Sequence, residues 1–344
     1  MGGVSARLGA LLLLLLLGAG AAEGSSGPPI RAAYFYHYMG ASHLDSLQAH
    51  GFGRAVIHWI PDSLDARGHA ELVAFVTRGA TLGVEVTPEW SWQSPSRLDS
   101  RPPERRYTWG RGRREADVPC PLDSLYWRSG LLDRADEFLG ASPGLTSLAV
   151  DLELFRGSRH HLDAGPCRCP ACLADYAAGR SGGRPSLAGL LGWEEARLAR
   201  ILGGLCAELR TRHPGVELGA LDLDFDSFAH RALARALARA AVPTMDYCER
   251  TYAGAAIANL SAARARLDAL GLQGAPLLGG AWLKRLAPGD VAPALRAIDG
   301  AADGHFVFTT FSLWLDPAKL QGPYVLEGAQ ADYWSALAAA NGAP

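Results

Sequence analysis

Leu148-Ala149-Val150-Asp151-Leu152-Glu153-Leu154-Phe155 is an apolar run carrying two acids two positions apart. Side chains two apart in a strand share a face, so this stretch reads as a buried strand whose tip presents Asp151 and Glu153 together while Leu152 and Leu154 turn away. Two carboxylates held so close raise the proton affinity of one of them, which is how a protein keeps a carboxylic acid able to donate near neutral pH. A solvated pair, or an ion pair with Arg156, is the structural alternative.

Outward from this strand the pattern repeats. Short apolar, β-branched or aromatic runs fall at Arg31–Tyr38, Arg54–Ile60, Gly83–Trp90, Leu145–Phe155, Val216–Phe225, Val242–Glu249, Ala275–Trp282 and His305–Trp314. Helical spacing of apolar residues follows each one, at Leu44–His50, Ala70–Gly79, Ser124–Leu139, Leu187–His213, Phe228–Ala240, Ala256–Leu270, Val291–Ile298 and Gly328–Ala340. Eight βα units from residue 30 onward predict a single (β/α)8 TIM barrel over 30–344. The competing open doubly wound sheet would place a glycine-rich dinucleotide turn after the first strand, and the sequence has none there. Chemistry in a barrel belongs at the carboxyl ends of the strands. The two longest connections, Ser91–Asp123 and Arg156–Ser186, follow the third and fourth of them.

Arg7, the run Leu11 to Leu17 and the small residues Ala19 to Ala22 read as a secretory signal peptide over 1–22, followed by a Gly/Ser/Pro-rich spacer over 23–29. The expectation is a secreted or periplasmic protein with no membrane attachment once the signal is removed. A formal net charge of -2 supplies no long-range attraction for nucleic acid or an anionic membrane.

The strand tips bring Tyr36, His58, Glu89, Trp90, Asp222, Asp224, Tyr247, Trp282 and Trp314 toward one mouth, an acidic and aromatic lining without a phosphate cradle. Aromatic faces suit the C–H faces of sugar rings and carboxylates accept from hydroxyls, so these residues are the expected substrate-binding set for a carbohydrate. Glycosidic hydrolysis needs an acid at the leaving oxygen and a nucleophile, a base or help from the substrate. Glu153 is the candidate acid, Asp151 its assistant and Glu249 the leading second carboxylate, with Asp222 and Asp224 competing for that role. The seventh strand, read LLGGAWL from Leu277 to Leu283, offers no acid.

Cys167, Cys169 and Cys172 lie in the loop after the Asp151/Glu153 strand, and Cys120 lies in the preceding long loop. Four thiolates suit a tetrahedral structural zinc. Disulfides are the rival, favoured by export and by the even total of six cysteines. Three thiols within six residues pair awkwardly with one another but surround a metal naturally, so zinc is the preferred reading, and no catalytic cofactor is expected.

These residues resemble (β/α)8-barrel glycoside hydrolases in two ways. The lone Cys120 with the Cys167, Cys169, Cys172 loop is similar to the structural zinc site of family 42 β-galactosidases, and that resemblance implies Glu153 as acid/base. Here Leu152 stands where that family has Asn, and the seventh strand lacks its Glu. The tip Asp151-Leu152-Glu153 and the sixth-strand Met245-Asp246-Tyr247 resemble the D-x-x-D-x-D-x-E and M-x-Y-D motifs of family 18 chitinases. Thr146, Ala149 and Cys248 replace the other aspartates. The second resemblance implies a Glu acid, an Asp that positions the substrate, and an acetamido oxygen as nucleophile, which would account for an acid-free seventh strand. A carbohydrate-binding barrel without catalysis, and a zinc-dependent hydrolase, are the alternatives.

Overall fold

In a computed structural model of the chain, residues 27–60, 63–92, 99–108, 114–152, 166–179, 186–252 and 257–343 are described. Residues 1–26, which include the expected signal peptide and most of the expected spacer, and Glu153 lie outside them.

Eight parallel strands close into a barrel: β1 (Ile30–Tyr36), β2 (Arg54–His58), β3 (Glu85–Ser91), β4 (Ser147–Asp151), β5 (Glu217–Leu221), β6 (Thr244–Cys248), β7 (Leu277–Trp282) and β8 (Gly304–Phe308). Each pairs with its sequence neighbours, and β8 pairs back onto β1. At least one helix follows each strand, and the last helix before the next strand is in turn α1 (His43–Ala49), α2 (Ala66–Leu82), α3 (Asp133–Ala141), α4 (Leu187–Arg212), α5 (Phe228–Ala240), α6 (Ile257–Ala269), α7 (Pro288–Asp299) and, after β8, α8 (Gln330–Asn341). A helical crossover is what returns the chain to start the next parallel strand. Local chemistry marks the helix ends. Asp65 accepts from the Gly68 N–H at 2.7 Å to start α2, and Gly83, at φ 69°, ends it.

The ladders set which side chains look inward. Tyr34 pairs with Val56, Tyr36 with His58, His58 with Glu89, Glu89 with Ala149 and Ser91 with Asp151, so with period two all of these face the barrel interior. The interior is filled by Ala32, Tyr34, Val56, Ala149, Leu221, Met245, Tyr247, Leu278 and Phe306. Arg54 closes the amino-terminal floor, 2.6 Å from both Glu85 and Glu217, and donates to the Tyr247 hydroxyl at 3.2 Å. A buried guanidinium between two carboxylates satisfies a plane of polar groups that apolar packing alone would strand. The larger core lies between the outward strand faces and the helices.

The strands are shorter than their sequence patterns, most notably the fourth, fifth and eighth. The apolar pattern of the eighth strand runs to Trp314, yet β8 stops at Phe308 and a 3-10 segment covers Thr310–Leu313. There the Thr310 hydroxyl donates to the Tyr34 carbonyl at 3.0 Å, replacing a ladder bond with a side-chain one. The fourth strand ends at Asp151. The long connections contain elements without a periodic signature: an antiparallel pair, Arg106–Thr108 with Arg114–Pro119, and a helix, Pro170–Ala178. No described helix is long and apolar enough to cross a membrane.

Candidate active site

The carboxyl ends of β1 to β4 build a polar cluster in the mouth. Glu89, without solvent exposure, accepts on one oxygen from the Tyr34 hydroxyl at 3.0 Å and from His58 Nδ1 at 2.5 Å. A carboxylate facing Nδ1 fixes the proton on that nitrogen. The second oxygen, Oε1, is buried and has no hydrogen-bond partner among the described residues. Asp151 sits two residues above this level on the neighbouring strand, facing inward and 8% exposed. Burial first, then the charges of Glu89 and Asp151, push the Tyr34 phenol well above its usual value, so it stays protonated as a donor.

Tyr36 and Trp282 line the same mouth half-buried. Tyr36 meets His58 edge-on at 5.3 Å, and its hydroxyl lies 3.1 Å from that of Tyr324. Trp282 packs at 6.0 Å from Phe308 and 6.1 Å from Tyr252, with the Arg285 guanidinium 5.0 Å from its ring. Tyr252 reaches in from the loop after β6. A Cβ on Gly280 would lie 2.4 Å from Tyr252 Cε1 and 2.8 Å from Phe306 Cζ. Inward position 280 of β7 is therefore glycine because an aromatic ring from the loop after the preceding strand, β6, occupies the space an acid would need.

Other expected mouth residues lie elsewhere. Trp90 faces outward, stacked on Phe138 of α3 at 5.3 Å, and its indole donates to the Gly130 carbonyl at 2.7 Å. Being adjacent to Glu89 in a strand, it must point to the opposite face. Trp314 packs on Phe35, His43 and Trp334 outside the barrel, because the 3-10 segment after β8 carries it over the rim. Tyr247 faces inward but is 1% exposed and reaches down to Arg54.

Asp222 and Asp224 form a buried network behind the tips of β5 and β6. Asp222 accepts from the Glu249 N–H at 2.6 Å, Asp246 accepts from the Leu223 N–H at 2.7 Å, and the Arg250 guanidinium is 2.5 Å from Asp224. Burial, with the charge of Asp222, pushes the Asp224 carboxyl up to about 6. One oxygen each of Asp222 and Asp224 and the Cys248 sulfur lie within 4.8 Å of one another. Through Asp222 this network holds the backbone of Glu249, which opens the short 3-10 turn Glu249–Thr251 and is half-buried.

The four sulfurs of Cys120, Cys167, Cys169 and Cys172 converge within 4.8 Å of one another, all buried. Backbone N–H groups of Leu122, Cys169 and Cys172 point at Cys120, Cys167 and Cys169 at 3.4, 3.5 and 3.5 Å, and Cys120 Sγ is 3.3 Å from Cys172 Sγ. Contacts with its neighbouring sulfurs hold the Cys169 thiol well below its usual value while raising those of Cys120 and Cys172. A buried soft-donor tetrad supported by N–H groups fits a tetrahedral thiolate-binding metal. The Arg168 N–H bonds to the Thr108 carbonyl at 2.8 Å, so the tetrad and this bond together join the loops after β3 and β4.

Sequence reasoning assigned no role to Tyr34, Tyr252 or Phe308. Tyr34 alternates with Tyr36 on one face of β1, a signal that was present; Tyr252 lies in an irregular loop and has no periodicity to betray it.

No family model and no curated protein matches this sequence. Solved structures do match. An α-L-fucosidase, isoenzyme 2 from Paenibacillus thiaminolyticus, superposes with a TM-score of 0.59 at 12% identity over 92% of this chain. The fold is one that glycoside hydrolases use. This chain spans about half of the fucosidase, 49% of its length. An endo-β-N-acetylglucosaminidase from Cordyceps militaris aligns over 100% of this chain and 98% of its own at 11% identity and a TM-score of 0.49. The catalytic domain of a family GH18 chitinase from the fern Peteris ryukyuensis aligns over 90% and 99% at 12% identity and 0.44.

Proposed function

We propose that this chain is an exported carbohydrate-active enzyme that cleaves a glycosidic bond at the carboxyl-terminal mouth of its barrel. The observation that carries the reading is the placement of Asp151 at the tip of β4 beside the hydrogen-bonded Tyr34–Glu89–His58 cluster, within an aromatic rim containing Tyr36 and Trp282. Buried acids and donors beside half-buried rings suit a polyhydroxylated ligand with apolar C–H faces.

In this reading the Glu153 carboxyl gives its proton to the glycosidic oxygen as the bond to the anomeric carbon breaks and its electron pair stays on that oxygen. Asp151 positions the group that attacks the anomeric carbon. Gly280 leaves β7 without a nucleophile, which favours attack by a group of the substrate itself, such as an acetamido oxygen. Water then attacks the anomeric carbon, the bond from that carbon to the acetamido oxygen breaks with its electron pair returning to the acetamido group, and the water proton passes to Glu153. Glu249, held through its backbone by Asp222, is the second carboxylate of the proposal.

Cys120, Cys167, Cys169 and Cys172 would hold a structural zinc that braces the loops around the β4 tip, with export through the 1–22 signal. The acid-free β7 also favours a second reading, a sugar-binding barrel without turnover. Turnover and binding by the chain and its Glu153→Gln variant, on aryl glycosides and oligosaccharides including N-acetylhexosamine forms, separate the two. Cleavage lost with binding kept supports the enzyme. Binding by both without cleavage supports the second reading, and silence in both assays defeats the carbohydrate assignment.

A further inference from the structure

We propose that a pocket on the β1–β2 rim, lined by His37, Trp59, Ser63, Asp65, Arg67 and Glu71, is a second carbohydrate subsite, one that takes an uncharged or amino-bearing sugar residue of the same glycan whose scissile unit occupies the mouth. The inference rests on the carbohydrate reading above and deepens it, because it makes the substrate an oligosaccharide.

Position comes first. His37 follows Tyr36 at the end of β1, Trp59 follows His58 at the end of β2 and packs outward on Phe75 and Phe138, and Ser63 to Glu71 lead into α2, so the pocket lies at the carboxyl-terminal end of the barrel, on the outer side of the wall whose inner side carries Tyr36 and His58. Its volume is about 420 Å³, room for a sugar ring. Tyr38 joins the two sites: it stacks on Tyr36 at 5.4 Å and 9°, meets His37 edge-on at 5.8 Å, and is 53% exposed. An exposed ring stacked on Tyr36 of the mouth and against His37 of the pocket is a platform on which the C–H face of a sugar can rest.

The lining then selects the ligand. The His37 imidazole is backed by the Trp59 indole at 4.8 Å and 26°, giving a stiff aromatic wall. Trp59 is 1% exposed, and its buried indole N–H has no acceptor among the described residues. A water or ligand hydroxyl that reaches this donor past His37 would supply an acceptor. Glu71 accepts from Arg67 Nε at 2.8 Å and pairs with His37 Nδ1 at 3.3 Å, while Asp65 is tied to the start of α2. Two carboxylates therefore face one guanidinium. Burial pulls the His37 pKa below its usual value, so the imidazole adds no charge at neutral pH. The excess of negative charge disfavours uronate, sialate or phosphorylated sugars and admits neutral or amino sugars.

The test is native mass spectrometry and titration of the full chain with disaccharides and tetrasaccharides of N-acetylglucosamine, glucosamine, glucose, galactose and glucuronate, alongside turnover of aryl monosaccharides. The proposal expects at least one neutral or amino tetrasaccharide to bind about tenfold tighter than its disaccharide, with no such gain for glucuronate. Ser63→Trp, at an exposed position, should fill the pocket and abolish the gain, and His37→Ala should reduce it. A gain that survives Ser63→Trp, or no gain while aryl monosaccharides are cleaved, overturns the subsite and leaves the enzyme reading standing. Neither binding nor turnover with any sugar overturns both.

Discussion

His58 Nδ1 lies 2.5 Å from Glu89 Oε2, a carboxylate with no exposure to solvent. The same oxygen accepts from Tyr34, so one buried acid fixes both the imidazole and the phenol at the mouth.

Removing that acid should separate two effects. Glu89→Ala leaves the His58 and Tyr34 donors buried without their acceptor, at a cost of about 3 kcal/mol in unfolding free energy. Glu89→Gln keeps an acceptor and the shape, and should cost about 1 kcal/mol or less while lowering kcat/KM about 10- to 100-fold through loss of the charge that orients His58. Urea denaturation and kinetics on the best aryl glycoside check the pair. A Glu89→Gln enzyme of wild-type activity would remove Glu89 from the working site.

Gly280→Ala places a methyl group where Tyr252 and Phe306 already stand. Because both rings are packed against other aromatics, Tyr252 must shift, with a stability loss of about 1–3 kcal/mol and a weakened mouth. The expected result is a lower melting temperature together with weaker sugar binding by titration calorimetry. A variant that melts normally and binds normally would show that the ring moves freely.

Zinc at the cysteine tetrad predicts about one equivalent of metal per chain by elemental analysis of the purified protein. Cys169→Ser should release it and lower the melting temperature, as should prolonged chelation. If thiol titration under denaturing conditions instead finds the four cysteines oxidised in pairs, the rival disulfide reading is correct.

Asp224 sets a pH dependence of stability. Its carboxyl is raised from 3.8 to about 6 by burial first and by Asp222 second, against the pull of Arg250. The folded chain therefore holds this proton more tightly than the unfolded chain does. Its contribution is most favourable below pH 3.8, declines as pH rises to about 6, and stays at its least favourable above that. Asp224→Asn should flatten the decline, by an amount on the order of 2 kcal/mol, less whatever the loss of the Arg250 ion pair costs. Urea midpoints measured from pH 4 to 7 for both proteins give the difference directly, and equal slopes would refute the assignment.

The repeat of apolar runs and amphipathic stretches was enough to determine the barrel, because period two and period 3.6 are local properties that each segment carries within itself. All eight strands and the eight helices that follow them lie within their sequence patterns or overlap them closely; α5 matches at both ends. Alternation also put Tyr36, His58, Glu89 and Asp151 on inward faces, and clustered spacing brought the cysteines to one loop. Tertiary structure alone decided the rest. Trp90 and Glu89 are adjacent in sequence but face opposite sides of the sheet, and only barrel closure says which side is the interior. Tyr247 and Trp282 both face inward, yet the register puts Tyr247 over the Arg54 floor and Trp282 at the rim. The Asp222 to Asp246 network, the ring of Tyr252 over Gly280 and the meeting of Cys120 with the later cysteines all join segments distant along the chain. Such contacts depend on how closed strands and irregular loops meet in space, a relation that no local pattern of residues encodes.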